Sequence, residues 1–247
     1  MKVKDKKMYL IALTLLVIVD LFLVYQFIFC TIRYHIIESI VVTIPLIICI
    51  IIYWLLNKEK IKVKLAQTLF VISTICFFNI AIIGFVMVLF SEGISHEENP
   101  WKYNHIKKIA GYMSYTYQFP KELSNDYLND RKIKFYYTPQ FLQGPFQLKL
   151  LMELNENEIS DYIKPYKNNT KIVMNMKECN EEDLKQYVIY EPYGIFKEDE
   201  YEKFIENAIF YIFESKPYKP DNWNHGVLQY MAENDELNQL LIVTEIW

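Results

Sequence analysis

Residues 130–154 read DRKIKFYYTPQFLQGPFQLKLLMEL, and this stretch decides the fold of the carboxy-terminal half of the chain. Apolar and polar side chains alternate over 132–138, a Gln-Gly-Pro turn sequence follows at 143–145, and the alternation resumes over 146–154. Alternation with a period of two residues is typical of β-strands that bury one face. The pattern therefore predicts a hairpin of two antiparallel strands, with Lys149 on the face that is turned to solvent.

Downstream of the hairpin, helix and strand signals predict an α+β domain. Asn155 and Asn180 each precede an acidic stretch with helical periodicity, as N-cap residues do. The run at 170–176 predicts a strand, and 226–247 predicts two strands around a polar turn. The segment 197–215 begins as an amphipathic helix and continues into a run compatible with either strand or helix. We expect a mostly antiparallel sheet of roughly five or six strands, with about two or three helices against it.

Upstream of the hairpin lie three long apolar runs, at about 8–29, 36–56 and 65–90. At about 1.5 Å per residue, each run is long enough as a helix to cross a hydrocarbon core about 30 Å thick. Because backbone polar groups inside lipid must be satisfied within the segment, these runs are predicted to be transmembrane helices. The lipid bilayer is therefore a predicted partner of the chain.

These patterns divide the sequence into a transmembrane region at 1–91, a connector at 92–129 and a sheet domain at 130–247. Pro100 and Pro120 interrupt the connector, which we expect to be irregular or partly helical. The predicted fold class is a three-helix transmembrane region followed by an α+β extracytoplasmic domain with a mostly antiparallel sheet.

The placement of lysines predicts how the chain is oriented in the membrane. Four lysines precede the first apolar run and four more separate the second run from the third, whereas the turn between the first two runs contains only Arg33. Lys and Arg are enriched in the cytoplasmic flanks of membrane helices. We therefore predict a multi-pass plasma-membrane protein with a cytoplasmic amino terminus and an extracytoplasmic carboxy-terminal domain.

Three polar side chains fall at a similar depth inside the apolar runs: Asp20, Thr43 and Asn79. An ionisable side chain in lipid is costly and often functional. One interpretation is that a protonated Asp20 forms a hydrogen bond with Asn79 or Thr43 and joins the three helices. The alternatives are that Asp20 contacts a basic residue of a partner membrane protein, or that it belongs to a proton or ion pathway.

The charge balance differs between the two halves of the chain. Residues 1–91 contain nine Lys/Arg and four Asp/Glu, whereas 92–247 contain seventeen Lys/Arg and twenty-six Asp/Glu. Nucleic acids and anionic lipid surfaces both select for basic proteins, so the acidic half argues against either as a binding partner.

Candidate metal ligands are few. The four cysteines show neither disulfide nor metal spacing. His96, Glu97, Glu98 and His105 match no known ligand spacing, so we interpret them as part of a solvated surface. We expect neither a metal nor a cofactor.

No catalytic motif is recognisable in the sheet domain, which lacks a nucleophile elbow, a phosphate-binding loop, an HExxH sequence and a CxxC pair. Cys179 precedes a helix cap and is interpreted as a plain thiol. Most aromatic side chains of this domain are expected in its core, and the alternative is that those beside Pro and Gly line a recognition surface. The predicted binding residues are Phe141, Gln143, Trp223 and His225.

Three segments carry a resemblance to other sequences: QFPKEL at 118–123, IKFYYTPQFLQG at 133–144 and NWNHG at 222–226. Together with the closing strand that ends in Trp247, they are similar to a group of uncharacterised membrane-tethered proteins of low-GC Gram-positive bacteria. The resemblance covers mainly 115–247. It implies an outward-facing domain and brings no catalytic residues.

The leading hypothesis is a membrane-anchored extracytoplasmic binding or sensing module that is not an enzyme, with another membrane protein or an extracellular protein as its partner. A first alternative is an accessory subunit of a membrane transport, export or immunity complex, assembled through the helices around Asp20. A second alternative is an extracytoplasmic hydrolase that uses His225 and a nearby acid such as Asp221.

Overall fold

The computed structural model divides the chain after Glu92 into two compact units. The residues that it describes are 3–94, 96–110, 116–130, 132–140, 145–197, 199–219 and 222–247.

The first unit consists of three long helices: α1 (Val3–Phe29), α2 (Ile36–Asn57) and α3 (Val63–Ile94). Within the described residues, these three helices are long and apolar enough to cross a membrane. The prediction of three membrane-spanning helices is confirmed at this level, and the chain is a membrane protein. Most of the large apolar side chains on the outside of the helices are exposed, because lipid rather than water is their solvent.

The helices pack through a stripe of buried side chains. Phe27 of α1, Cys49 of α2 and Phe77 of α3 are fully buried members of this cluster. At one end of α3, the Glu92 carboxylate accepts hydrogen bonds from the backbone N–H groups of Ile32 and Arg33. This carboxylate therefore ties the turn between α1 and α2 to the end of α3.

The second unit contains a sheet with short helices around it. Its helices are α4 (Tyr103–Ala110), α5 (Asn125–Asp130), α6 (Glu156–Ile163), α7 (Glu181–Lys185) and α8 (Glu200–Ile205). Its strands are β1 (Ile133–Thr138), β2 (Phe146–Glu153), β3 (Ile172–Asn175), β4 (Ile209–Lys219), β5 (Asn222–Asn234) and β6 (Gln239–Ile246). In the described part of the chain they form one six-stranded antiparallel sheet in the order β1-β2-β6-β5-β4-β3. The predicted fold class is confirmed.

The opening stretch of sequence folds as predicted, with β1 and β2 paired antiparallel from Ile133 opposite Met152 to Thr138 opposite Gln147. β2 then pairs along its whole length with β6, the last strand of the chain. The hairpin therefore sits at one side of the sheet, and β1 forms its edge.

Both faces of the sheet are covered, whereas alternation predicted one buried face. One face packs against a core cluster that includes Leu184 of α7 and Phe204 of α8. On the other face, the ring of Tyr103 in α4 lies 5.4 Å from the ring of Phe135. The prediction of a solvent-facing Lys149 is therefore wrong, since only 1% of this residue is exposed.

Local capping signals fix the helices around the sheet. Asn155 and Glu158 form a capping box at the start of α6, and Asn180 and Asp183 form one at the start of α7. Both helix starts therefore agree with the sequence. The ambiguous segment at 197–215 resolves into α8 followed by β4, because its second half alternates core-facing and opposite-facing side chains.

The stretch predicted as a connector, 92–129, makes specific contacts with the sheet. Glu97 and Tyr137 exchange two backbone hydrogen bonds of 2.9 Å, which extends the pairing at the β1 edge. The Asn104 side chain accepts from the Leu123 N–H and donates to the Leu123 carbonyl, both at 2.7 Å. α4 and the segment that follows it are therefore held together by side-chain bonds.

Candidate functional site

An open cleft of 500 Å³ lies in the sheet domain between the segment 120–127, the end of β2 and α6. Its walls contain apolar and aromatic side chains, with carboxylates among them. The lining residues are Pro120, Glu122, Leu123, Ser124, Tyr127, Met152, Leu154, Glu158, Asp161 and Tyr162. A volume of this size matches that of typical small-ligand sites, which run from about 300 to 1,000 Å³.

Hydrogen bonds to the backbone hold one wall of the cleft in place. The hydroxyl of Tyr103, on α4, donates to the carbonyl of Pro120 at 2.5 Å. The Asn104 side chain clamps the backbone of Leu123 from the same helix. Since α4 fixes two points of this wall, the cleft is a built feature of the domain.

The opposite wall is fixed by α6. The capping box at Asn155 sets the start of the helix, and Glu158 both completes that box and lines the cleft. The Tyr162 hydroxyl donates to the backbone carbonyl of Gln118 at 2.7 Å. Burial, together with the neighbouring Tyr166 and Tyr127, raises the pKa of the Tyr162 phenol. This phenol therefore remains a proton donor throughout the physiological pH range.

The cleft is acidic. Three carboxylates, Glu122, Glu158 and Asp161, line it, and none of its described lining residues is basic. Leu154 and Met152 supply apolar surface between them. A ligand that suits this lining has an apolar group for the apolar side chains and a cationic group for the carboxylates. The carboxylates attract a cation and repel an anion, and the apolar wall offers an anion no compensating hydrogen bonds.

A second cluster, around Lys149, is buried beneath the segment that contains Tyr193. The ammonium nitrogen lies 2.8 Å from Glu245 Oε1 and 3.3 Å from the carbonyl oxygen of Tyr193. It also lies 5.1 Å from the centre of the Tyr136 ring, a cation–π contact. These contacts satisfy the cation inside the protein, so the cluster holds the fold together and offers no open position to a ligand.

Gly194 completes the cover over this cluster. Its φ of +80° is a conformation that side chains other than glycine's disfavour. A Cβ at this position would also lie 2.8 Å from Cε2 of Tyr136. Only glycine therefore lets the chain approach Tyr136 closely enough to place the Tyr193 carbonyl near Lys149.

The polar residues of the membrane helices are partly brought together. Asp20 is 5% exposed, and its carboxyl oxygens lie 3.1 and 3.3 Å from the Thr43 hydroxyl. That hydroxyl lies 2.9 Å from the carbonyl oxygen of Ser39. A hydroxyl has one hydrogen to donate. When Thr43 donates to Ser39, its contact with Asp20 requires that the acid carry the proton.

Asn79 does not join this pair. Its side chain is exposed and donates to the carbonyl of Ile75 in its own helix at 2.8 Å. Of the two predicted partners of Asp20, the structure therefore pairs only Thr43 with it. Asp20 faces the inside of the bundle, not the exposed surface where a basic residue of another protein would approach.

The predicted binding residues fall largely outside the described part of the chain. Phe141 and Gln143 lie outside the described residues. The backbones of Trp223 and His225 belong to β5, and their side chains lie outside the described part. The binding surface built on these four residues remains a prediction, and so does the hydrolase alternative built on His225 and a nearby acid such as Asp221, which lies outside the described residues.

The other candidates have ordinary contacts. The His96 ring stacks on Tyr136 at 5.2 Å, and its Nε2 lies 3.1 Å from Glu98. Glu97 pairs with Lys102 at 2.7 Å. Cys179 is half-buried against the core of the sheet domain. Within the described ranges, no group of three or more His, Cys, Asp or Glu side chains is placed to hold a metal ion.

The cleft was missed because its walls come from segments far apart in sequence. One signal was present: the apolar alternation of β2 runs on through Met152 to Leu154, directly before the acidic capped helix. An apolar strand end next to carboxylates is a candidate binding position, but the opposite wall at 120–127 was assigned to a connector.

Comparison of the chain with protein-family models, with curated protein sequences and with solved structures finds no match. The function of the cleft is therefore argued from its own geometry.

Proposed function

We propose that this chain is a membrane-anchored binding protein whose sheet domain faces the extracytoplasmic side and recognises a segment of a partner protein. The recognised segment has an apolar side chain next to a basic one, and it binds in the cleft between 120–127 and α6. The observation that supports this function is the combination, in one cleft, of an apolar floor and three carboxylates.

The shape of the cleft favours a peptide segment over an enclosed small molecule. The cleft is open to solvent, so that a peptide segment can lie in it with one side chain directed inward. Pro120, Tyr127 and Tyr162 are half-buried and offer contact area for an aliphatic or aromatic side chain, whereas Met152 and Leu154 are almost fully buried. Glu122 and Asp161 then lie within the same lining to neutralise a neighbouring Lys or Arg.

Two peptides of the same length and opposite charge test this proposal. The probe is a short fluorescent peptide of alternating leucine and lysine, and its counterpart replaces each lysine with glutamate. Binding is measured by fluorescence anisotropy with the full chain in phosphatidylcholine nanodiscs, and empty nanodiscs are subtracted. We expect the lysine peptide to bind and the glutamate peptide not to bind. Equal signals from the chain and from empty nanodiscs would overturn the proposal.

A double charge reversal locates the binding. We expect Glu122→Lys combined with Asp161→Lys to lower the affinity for the lysine peptide about tenfold. A tenfold change in affinity corresponds to about 1.4 kcal/mol of binding free energy. The control is Glu178→Lys with Glu206→Lys, which changes the net charge equally at exposed positions outside the cleft. If both double variants weaken binding to the same extent, the cleft is not the site.

The orientation in the membrane is part of the proposal. Four lysines precede the first apolar run and four more lie between the second and third runs, whereas Arg33 is the one Lys or Arg residue between the first and second runs. This distribution supports a cytoplasmic amino terminus. Protease added to intact spheroplasts should remove the sheet domain. A domain that is cleaved only after lysis would place the cleft in the cytoplasm instead.

A further inference from the structure

The exposed side of α3 contains a polar residue that lipid does not satisfy. Within 69–90 of this helix, Asn79 is the one residue with a side-chain amide. A primary amide has two N–H donors and an accepting oxygen. One N–H bonds the Ile75 carbonyl in the same helix, and the described part of the chain provides no other partner. Hydrocarbon offers neither donors nor acceptors, so an amide on this face calls for a polar partner.

Asn79 lies at the centre of a regular seam on that side of the helix. The seam residues repeat at alternating steps of four and three, which is the heptad spacing of coiled coils. They are Thr68, Ile72, Ile75, Asn79, Ile82, Val86 and Leu89, and each of them is exposed. The buried stripe of α3, which includes Phe70, Phe77 and Ala81, runs along the opposite side. This seam is therefore not used within the three-helix bundle.

We propose that this seam is the contact surface of a homodimer, in which α3 of one copy packs in parallel against α3 of a second copy. Two copies inserted in the same sense carry Asn79 at the same depth. Across a two-fold axis along the membrane normal, the amide oxygen of each Asn79 accepts a hydrogen bond from the amide N–H of the other. The second copy is therefore the occupant whose chemistry complements this position at the required depth.

The side chains around Asn79 support this assignment. Ile72 and Val86 occupy the same heptad position as Asn79, one heptad before and after it. A single asparagine among apolar residues at such a position fixes the register and the oligomeric state of the pairing helices. In membranes, asparagine side chains hydrogen-bond across helices in the same way.

Cysteine cross-linking tests the seam. In a background in which Cys30, Cys49, Cys76 and Cys179 are replaced by alanine, Ile82→Cys places a thiol on the seam. Met87→Cys is the matched control, because Met87 is 63% exposed and Ile82 is 64% exposed. The two positions point about 140° apart round the helix. The chain is reconstituted in liposomes at low protein density and oxidised, and dimers are counted on a non-reducing gel.

We expect Ile82→Cys to form covalent dimers and Met87→Cys to remain monomeric. Adding Asn79→Leu to the Ile82→Cys chain should weaken association about tenfold. Equal cross-linking at the two positions would overturn the proposal. So would an Ile82→Cys product in native membranes that contains a different protein, because the seam would then serve a hetero-complex.

A second measurement does not depend on the removal of cysteines. Sedimentation equilibrium of the unmodified chain in a neutrally buoyant detergent should give a dimer, and the Asn79→Leu chain should shift toward monomer at the same concentration. The helical circular dichroism of the two chains should be equal. An unmodified chain that sediments as a monomer at all concentrations would contradict the proposal.

Discussion

The two units of this chain treat polar groups in opposite ways. In the helical unit, the buried Asp20 is next to the Thr43 hydroxyl, which in turn contacts the Ser39 carbonyl oxygen, and all three groups are neutral when the acid holds its proton. In the sheet domain, the buried Lys149 is paired with Glu245, whose side chain is 22% exposed. The difference teaches that a charge is tolerated inside the domain where one partner of the pair still reaches water.

The largest effect is expected when this ion pair is broken at Glu245, its more exposed partner. Glu245→Gln leaves Lys149, whose side chain is 2% exposed, without its carboxylate partner. We expect a loss of about 3 kcal/mol in the free energy of unfolding, because an unpaired buried charge is strongly destabilising. Chemical denaturation of the sheet domain in the detergent-solubilised chain measures the loss.

The matched variant removes the other partner. Lys149→Met fills a similar volume with an apolar side chain, and the partly exposed Glu245 carboxylate can be hydrated. We expect a loss of about 1 kcal/mol or less. Equal losses from the two variants would mean that the partial exposure of Glu245 does not determine how much stability is lost when the pair is broken. The stated difference between the two units would then be wrong.

A smaller effect concerns the pH dependence of the sheet domain. Burial raises the pKa of Glu233, and a hydrogen bond from the Tyr211 hydroxyl partly opposes this rise. A folded state that binds the proton more tightly than the unfolded state loses stability as pH rises from the ordinary glutamate pKa of 4.5 to the raised value.

The measurement for Glu233 is the thermal midpoint of the full chain against pH. The thermal midpoint of the unmodified chain should fall as pH rises through that window. The midpoint of the Glu233→Gln chain, which retains an acceptor for Tyr211, should fall less. If the two midpoints remain parallel across the window, Glu233 does not contribute.

The smallest effect is expected inside the membrane helices. Thr43→Val removes the hydroxyl next to Asp20 at nearly constant volume. Hydrogen bonds between membrane helices contribute about 0.6 kcal/mol on average, so we expect a loss of that size in unfolding by increasing dodecyl sulfate. Thr14→Val is the control, since the Thr14 hydroxyl is exposed and bonds only its own helix at Leu10. A loss several times larger would show that the helices depend on this polar contact as strongly as the sheet domain depends on its ion pair.

Local and periodic features of the fold were readable from the sequence. The three apolar runs, the hairpin at 130–154 and the capped helices at Asn155 and Asn180 all correspond to elements of the structure. Each rests on interactions between residues that are near one another in sequence. The burial of Lys149 was not readable, because it depends on Gly194 and Glu245, which arrive from distant segments.

The candidate site was less predictable than the fold. Asp20 and Thr43 could be matched by depth, because helical geometry converts sequence position into height. Depth does not give the rotation of a helix, so the sequence did not show that Asn79 faces outward. The cleft in the sheet domain depends on the packing of 120–127 against α6, which no local pattern encodes.

The pairing of β2 with β6 has a consequence for the order in which the chain folds. β2 completes its ladder only with β6, from Phe146 opposite Ile246 to Glu153 opposite Gln239. During synthesis the early hairpin therefore keeps one edge unpaired until β6 has been made and has paired with it. A chain that stalls before Gln239 would leave that edge open to aggregation, so the arrival of β6 is the step that closes this side of the sheet.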